Sequence, residues 1–177
     1  IIGTVGVPAS YGGFETLVEN LIEDASERYT VYCSGPHYAE RVTAYKNANL
    51  IYIPLSANGV QSIIYDIWSI IHALLTGHKN LLVLGTSGAI VLPLVKLFCP
   101  TVKVVTNIDG LEWKRQKWKG FAKVFLKFSE RLAVKFSSIV VADNEAIAKH
   151  VETNYRRTCE TIAYGGDHAY IEKILLQ

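Results

Sequence analysis

Short apolar runs alternating with helical repeats set the pattern of this chain. Seven runs read as strands: 1–7, YTVYCS (29–34), LIYIPL (50–55), NLLVLGT (80–86), KVVTNID (103–109), SIVVAD (138–143) and ETIAY (160–164). They are short, β-branched and nearly all apolar, as strands covered on both faces are. Between them apolar positions recur at helical spacing over 14–27, 60–76, 88–98, 118–136 and 144–154, with a last stretch at 170–176. Strand–helix alternation at this spacing predicts an α/β fold, a Rossmann-like doubly wound parallel sheet of about seven strands with helices on both faces. No repeat, low-complexity tract or internal linker interrupts the pattern, and the residues after Gly166 read as a domain exit.

In such a sheet ligands bind in the crevice at the carboxyl ends of the strands. Glycines and polar residues gather at those ends, among them Tyr11, Asn58, Ser87, Asp109, Glu112, Asn144, Glu145, Asp167 and His168. Turns need the same residue types, so the gathering locates a site without naming its chemistry. The first such end is VPASYGGFETLVENL (8–22), where Gly12 and Gly13 stand between a strand pattern and a helical one. Glycines let backbone amides approach an anion, and the helix adds its positive end. A tight turn explains the pair equally well. The spacing is neither G-x-G-x-x-G nor a G-K-[ST] phosphate loop. Glu15 suits the helix dipole but would compete with an anion, and it reads equally as a cap or as an acceptor for a sugar hydroxyl.

Charge is concentrated in one segment. From Glu112 to Lys135 there are eight basic residues and two acidic ones, +6 in a chain whose total is +2, which leaves −4 for the rest. Lys119, Lys123, Lys127, Arg131 and Lys135 recur every four residues as one stripe, with Phe121, Val124, Phe125, Phe128, Leu132 and Phe136 expected on the other, sheet-facing side. The stripe is either a solvated face or an interfacial patch for anionic lipid or a lipid-phosphate acceptor, joined by Lys114, Arg115 and Lys117. No nucleic-acid reader motif accompanies it. Asp109 and Glu112 read as a base or hydroxyl binder, or simply as turn and cap residues. Three distant cysteines are expected as reduced thiols, and no metal-ligand spacing or nucleophilic triad is visible. The apolar stretches 60–77 and 81–98 carry Asp66, His72, Gly85, Gly88, Pro93 and Lys96, so a buried helix and a buried strand-plus-helix are expected rather than membrane spans. The chain starts inside a strand pattern and contains no methionine, so a trimmed start is expected; it carries no signal-peptide pattern.

GTVGVPASYGGFETLVENL, NIDGLEWKRQKW, VADNEAIAKHV and AYGGDH, each at a strand end, together resemble the amino-terminal domain of a bacterial glycosyltransferase group. That group includes rhamnosyltransferases of capsule and cell-wall polysaccharide assembly, retaining family-4-like enzymes of GT-B architecture. The resemblance covers nearly the whole chain and is specific for the family, not for the sugar. It implies two Rossmann-like domains facing across a cleft, the first mainly holding the acceptor and the second the nucleotide-sugar donor. Gly12 and Gly13 would approach the donor diphosphate through their amides. Tyr11, Glu15, Asn144, Glu145, Asp167 and His168 would face the cleft or acceptor. Asp109 and Glu112 stand where many relatives place a histidine or acid beside the transferred sugar; this chain has no histidine there. Residues 1–168 would be the acceptor-side domain and 169–177 an exit toward a donor-binding domain that the sequence lacks, so the chain alone is expected to be inactive. The implied activity is transfer of a sugar, with rhamnose the candidate, from a nucleotide-sugar donor to a glycan or lipid-linked acceptor. No metal or further cofactor is implied, and nucleic acid is not an expected partner. The expected location is the cytoplasm, with peripheral contact at the inner face of an anionic membrane. The alternative is a non-catalytic Rossmann-like module that binds a nucleotide or phosphorylated ligand.

Overall fold

The computed structural model of the chain describes residues 1–10, 12–23, 26–108, 110, 112–114 and 119–163, apart from the side chain of Glu112. Tyr11, Asp109, Arg115, Lys117, Asp167, His168, the 170–176 helix and the 169–177 exit lie outside the described residues. In chain order the elements are α1 (Gly13–Glu23), β1 (Tyr29–Ser34), β2 (Ala44–Tyr45), β3 (Ala48–Ile53), α2 (Gln61–Leu75), β4 (Asn80–Leu84), α3 (Leu92–Phe98), β5 (Lys103–Ile108), α4 (Gly120–Phe136), β6 (Ile139–Ala142), α5 (Glu145–Tyr155) and β7 (Glu160–Thr161).

β4, β5, β6 and β7 form an all-parallel sheet in that order, with Leu82 opposite Val105 and Thr106 opposite Val140. β1 and β3 pair in parallel, Tyr32 opposite Ile51, and β2 adds a short antiparallel strand to β3. The expected single sheet of seven strands is therefore two sheets, of four and three strands. The antiparallel β2 was not foreseen, because two residues carry no period.

The first segment joins the two sheets without being a regular strand. Ile2 exchanges backbone hydrogen bonds with Leu82 and Leu84 of β4, while Ile1 and Val5 carbonyls accept from Tyr32 and Ser34 of β1. The strand expected over 1–7 is thus reduced to a single bridge at Ile2. Gly3 explains the break. Its φ is +93°, and a Cβ there would lie 2.0 Å from the Leu84 carbonyl oxygen. Only a residue without a side chain lets the segment pass β4 so closely. Across the molecule the order is then β2, β3, β1, residues 1–5, β4, β5, β6, β7, the arrangement of a Rossmann-like sheet.

Alternate residues of the strands feed opposite cores. Tyr32, Ile53, Leu81 and Val83 pack with Tyr65, Ile70 and Ala73 of α2 and Leu92 and Val95 of α3. Val31, Cys33, Leu50 and Leu84 pack with Val18 and Ile22 of α1. Helices therefore cover both faces, as the apolar, non-alternating strands required. α3 starts at Leu92, four residues later than the spacing suggested, after a 3-10 turn at Ala89–Val91.

Two expectations about helix faces are overturned. On α4 the buried residues are Leu126, Ser129, Glu130, Ala133 and Val134. Phe121 and Phe128, expected inside, are 83% and 51% exposed, and Val124 is exposed beside the lysines. The rotation is set by polar anchors: the Ser129 hydroxyl donates to the Thr86 carbonyl at 2.6 Å, and Glu130 is held from three sides. α2 is not buried all round either, since Ile64, Trp68, Ile71 and Leu75 face outward. Among the described residues no helix is long and apolar enough to cross a membrane.

Candidate functional site

A cleft of about 330 Å³ opens between residues 3–5 and the exit of β4, where the strand order reverses. This is the switch point at which open α/β sheets take their ligands. The loops after the first segment, β1, β3, β4 and β5 all contribute to its walls.

The glycine loop forms one rim. Glu15, buried in the first turn of α1, accepts hydrogen bonds on Oε1 from the Thr4 hydroxyl at 2.9 Å and the Val5 amide at 2.8 Å. One turn later Glu19 accepts from the Ala9 amide at 2.6 Å and the Tyr45 hydroxyl at 2.5 Å, and pairs with Lys46 at 3.1 Å. Burial pushes the Glu19 carboxyl up, but these donors and the lysine outweigh it and hold the group below the usual carboxylate range. The glutamates at i and i+4 thus fasten the loop 4–9 to α1. Glu15 is a structural anchor whose carboxylate also lines the cleft.

Gly12 makes that anchor possible. Its φ is +118°, and a Cβ would stand 2.1 Å from Glu15 Oε2. Gly12 and Gly13 both line the cleft, and among the described residues neither amide donates a hydrogen bond. The turn and the open amides coexist, so the two readings of the glycine pair are compatible.

The floor was not anticipated. Asp66, from the middle of α2, is 3% exposed and lines the cleft. Its Oδ2 accepts a hydrogen bond from the Ser87 hydroxyl. Burial pushes its carboxyl up to about 7, partly offset by that bond. The turn carrying Ser87 is pressed onto α2: a Cβ on Gly88 would lie 2.6 Å from Asp66 Cβ. The far wall holds Asn58, Ser62 and His37, whose Nε2 lies 2.7 Å from the Ser10 hydroxyl. Gly110, after β5, also lines the cleft. One signal for the floor was available: Asp66 is the lone acid in the apolar run of α2.

Asn144 and Glu145 are not brought to this cleft. Both are exposed, and the Asn144 side chain caps α5 by accepting from the Ile147 amide at 3.0 Å. Glu112 opens a short 3-10 turn, Glu112–Lys114.

The basic residues gather elsewhere, along a trough of about 1100 Å³ between α4 and α5. Lys114 and Lys127 stand over the Trp113 ring at 5.3 and 5.1 Å, and Arg131, Lys135 and Arg156 continue the lining. Lys119 and Lys123 are exposed near the start of α4. Beneath the trough Glu130, 1% exposed, accepts from Trp113 Nε1 at 2.9 Å and the Tyr155 hydroxyl at 2.5 Å, and meets His150 Nε2 at 3.0 Å. The Tyr155 hydroxyl is pushed up by burial and by Glu130. Among the described residues no group of three or more histidines, cysteines or carboxylates is placed to hold a metal ion.

Compared with known families, residues 1–167 match the family described as Domain of unknown function (DUF1972). No curated protein matches the chain.

Proposed function

The chain belongs to the DUF1972 family, and on that premise we propose that it is the acceptor-side domain of a retaining glycosyltransferase. The enzyme moves a sugar, with rhamnose the candidate, from a nucleotide-sugar donor to a glycan or lipid-linked acceptor. The observation that carries the reading is the position of the glycine rim. Two amides at the start of an eleven-residue helix border a cleft at the switch point of the sheet and donate no hydrogen bond among the described residues. Breaking a glycosidic bond to a nucleoside diphosphate builds charge on the leaving oxygens. Fixed amide dipoles aimed at that charge lower the barrier because they need no reorganisation. A second domain, beyond the residues of this chain, would hold the nucleotide and close over the cleft. Asp109 and Glu112, which flank Gly110 in the sequence, are the candidate catalytic groups.

The α4 surface supports a membrane-side role. Exposed Phe121, Val124 and Phe128 lie among Lys119, Lys123 and Lys127, the combination that seats a helix at an anionic bilayer surface. We place the enzyme peripherally at the inner face of the cytoplasmic membrane, with the Lys114 to Lys127 patch facing anionic lipid or an acceptor phosphate.

The test is acceptor-dependent release of nucleoside diphosphate by the full-length protein, supplied with dTDP-rhamnose, UDP-glucose and GDP-mannose and with membrane lipid extract as acceptor. Turnover with one donor supports the reading. Tight nucleotide binding by this chain alone, with no turnover by the full-length protein, supports a non-catalytic binding module instead.

A further inference from the structure

We propose that Asp66 and Ser87 form a hydroxyl-recognition pair on the cleft floor that selects an uncharged sugar ring. The inference rests on the transferase reading of the same cleft and names what its inner part holds.

Three observations lead to it. First, the Asp66 carboxyl is almost wholly buried yet lines the cleft, and only one of its oxygens is used. Oδ2 takes the Ser87 hydroxyl, while Oδ1 accepts no hydrogen bond among the described residues. That oxygen is not among the enclosed polar atoms left unpaired, so it opens on the cleft, where a ligand hydroxyl can reach it. Second, the pair is rigid. The close approach of Gly88 to the Asp66 backbone fixes the turn against α2, and the Ser129 hydroxyl ties the Thr86 carbonyl to α4. A group held this way selects geometry rather than adapting to it. Third, the charge is of the wrong sign for a phosphate. The described lining contains Glu15 and Asp66 and no lysine or arginine. An anion on the floor would face two carboxyls with no lysine or arginine in the described lining and His37 only on the far wall, whereas the amides that suit one lie at the rim.

A sugar ring meets these conditions. Its hydroxyls donate to a carboxylate oxygen, and they accept from a carboxylic acid when the group is protonated. Burial raises the Asp66 carboxyl to about 7, so both forms are populated near neutrality. Thr86, Ser62 and Asn58 add neutral donors and acceptors around the same space. The volume, about 330 Å³, is at the small end of ligand sites, suited to a single ring.

The experiment uses saturation-transfer NMR on the full-length protein with three probes: the methyl glycosides of rhamnose, glucose and N-acetylglucosamine. Inorganic pyrophosphate serves as the anionic competitor. At least one glycoside is expected to bind the wild type and to persist when pyrophosphate is added. Asp66→Leu is expected to weaken it roughly ten- to a hundredfold, the loss of one hydrogen bond to a charged or ionisable group. Asp66→Asn keeps the shape should the leucine variant not fold. It replaces one carboxylate oxygen by a donor and is expected to weaken the glycoside several-fold, less than Asp66→Leu does. Wild-type affinity in a folded Asp66→Leu protein or in Asp66→Asn, displacement by pyrophosphate, or no binding of any glycoside would each overturn the proposal. Absence of nucleotide-sugar turnover together with Asp66-dependent glycoside binding would remove the transferase reading and leave this one standing.

Discussion

Replacing Asp66 with asparagine tests the electrostatics of the cleft floor through stability alone, with no ligand required. The carboxyl is raised from 3.8 to about 7, chiefly by burial, with Ser87 pulling the other way. Among the described residues no ion pair offsets the burial; Glu15, across the same cleft, is another acid, and the adjoining Tyr65 is a phenol hydrogen-bonded to backbone carbonyls. The folded chain thus holds this proton more tightly than the unfolded chain. The associated stability is complete below pH 3.8 and is lost as pH rises through about 7. A shift of roughly three pH units corresponds to about 4 kcal/mol over the whole range. Of this, roughly 3 kcal/mol falls between pH 5 and pH 8. Asparagine has the same shape and cannot ionise, so it lacks the dependence. Urea unfolding of both proteins at pH 5, 6, 7 and 8, followed by tryptophan fluorescence, gives the difference directly, because every other titrating group cancels. The wild type should lose about 3 kcal/mol relative to Asp66→Asn across that interval. Parallel curves would refute the reasoning and show that the carboxyl titrates as if it were in water.

Four further outcomes are expected. Glu130→Ala removes the acceptor shared by Trp113, His150 and Tyr155 and should destabilise the protein by about 3 kcal/mol or more, read by urea unfolding. Gly12→Ala places a Cβ against the Glu15 carboxylate at positive φ and should cost about 1–3 kcal/mol; Gly13→Val, at the first helical position, should leave the fold intact by circular dichroism while sharply reducing sugar transfer by the full-length enzyme. Neutralising Lys119, Lys123 and Lys127 to glutamine should weaken sedimentation with phosphatidylglycerol vesicles by about 1 kcal/mol per charge, an effect lost at high salt.

The layer architecture was legible because it depends on period and composition, which are local. The residues YTVYCS and NLLVL read as strands covered on both faces, and they are. The crevice was legible for the same reason, since strand ends follow from strands. What a one-dimensional pattern does not carry is the partner of a polar group. Ser129 and Glu130 belong to neither the basic stripe nor the apolar set read on α4, yet both are buried with partners contributed by distant elements, and those partners turn the phenylalanines outward. Gly3 sits inside an apolar run that reads as a strand, but the close pass against Leu84 is a tertiary fact that forces φ positive. Asp66 was visible as an oddity in an apolar helix, and only the three-dimensional placement of Ser87 and the cleft turns that oddity into a candidate site. Asn144 illustrates the reverse: a polar residue at a strand end that serves its own helix as a cap.

The amide resonances of Gly12 and Gly13 in the full-length protein, titrated with the nucleotide sugar that supports turnover, test most directly whether the first helix faces a diphosphate. Downfield movement of both amides in step with donor occupancy is the expected result. Donor bound at saturation with both amides unmoved would contradict it, and the glycine pair would then be a turn built around Glu15 and nothing more.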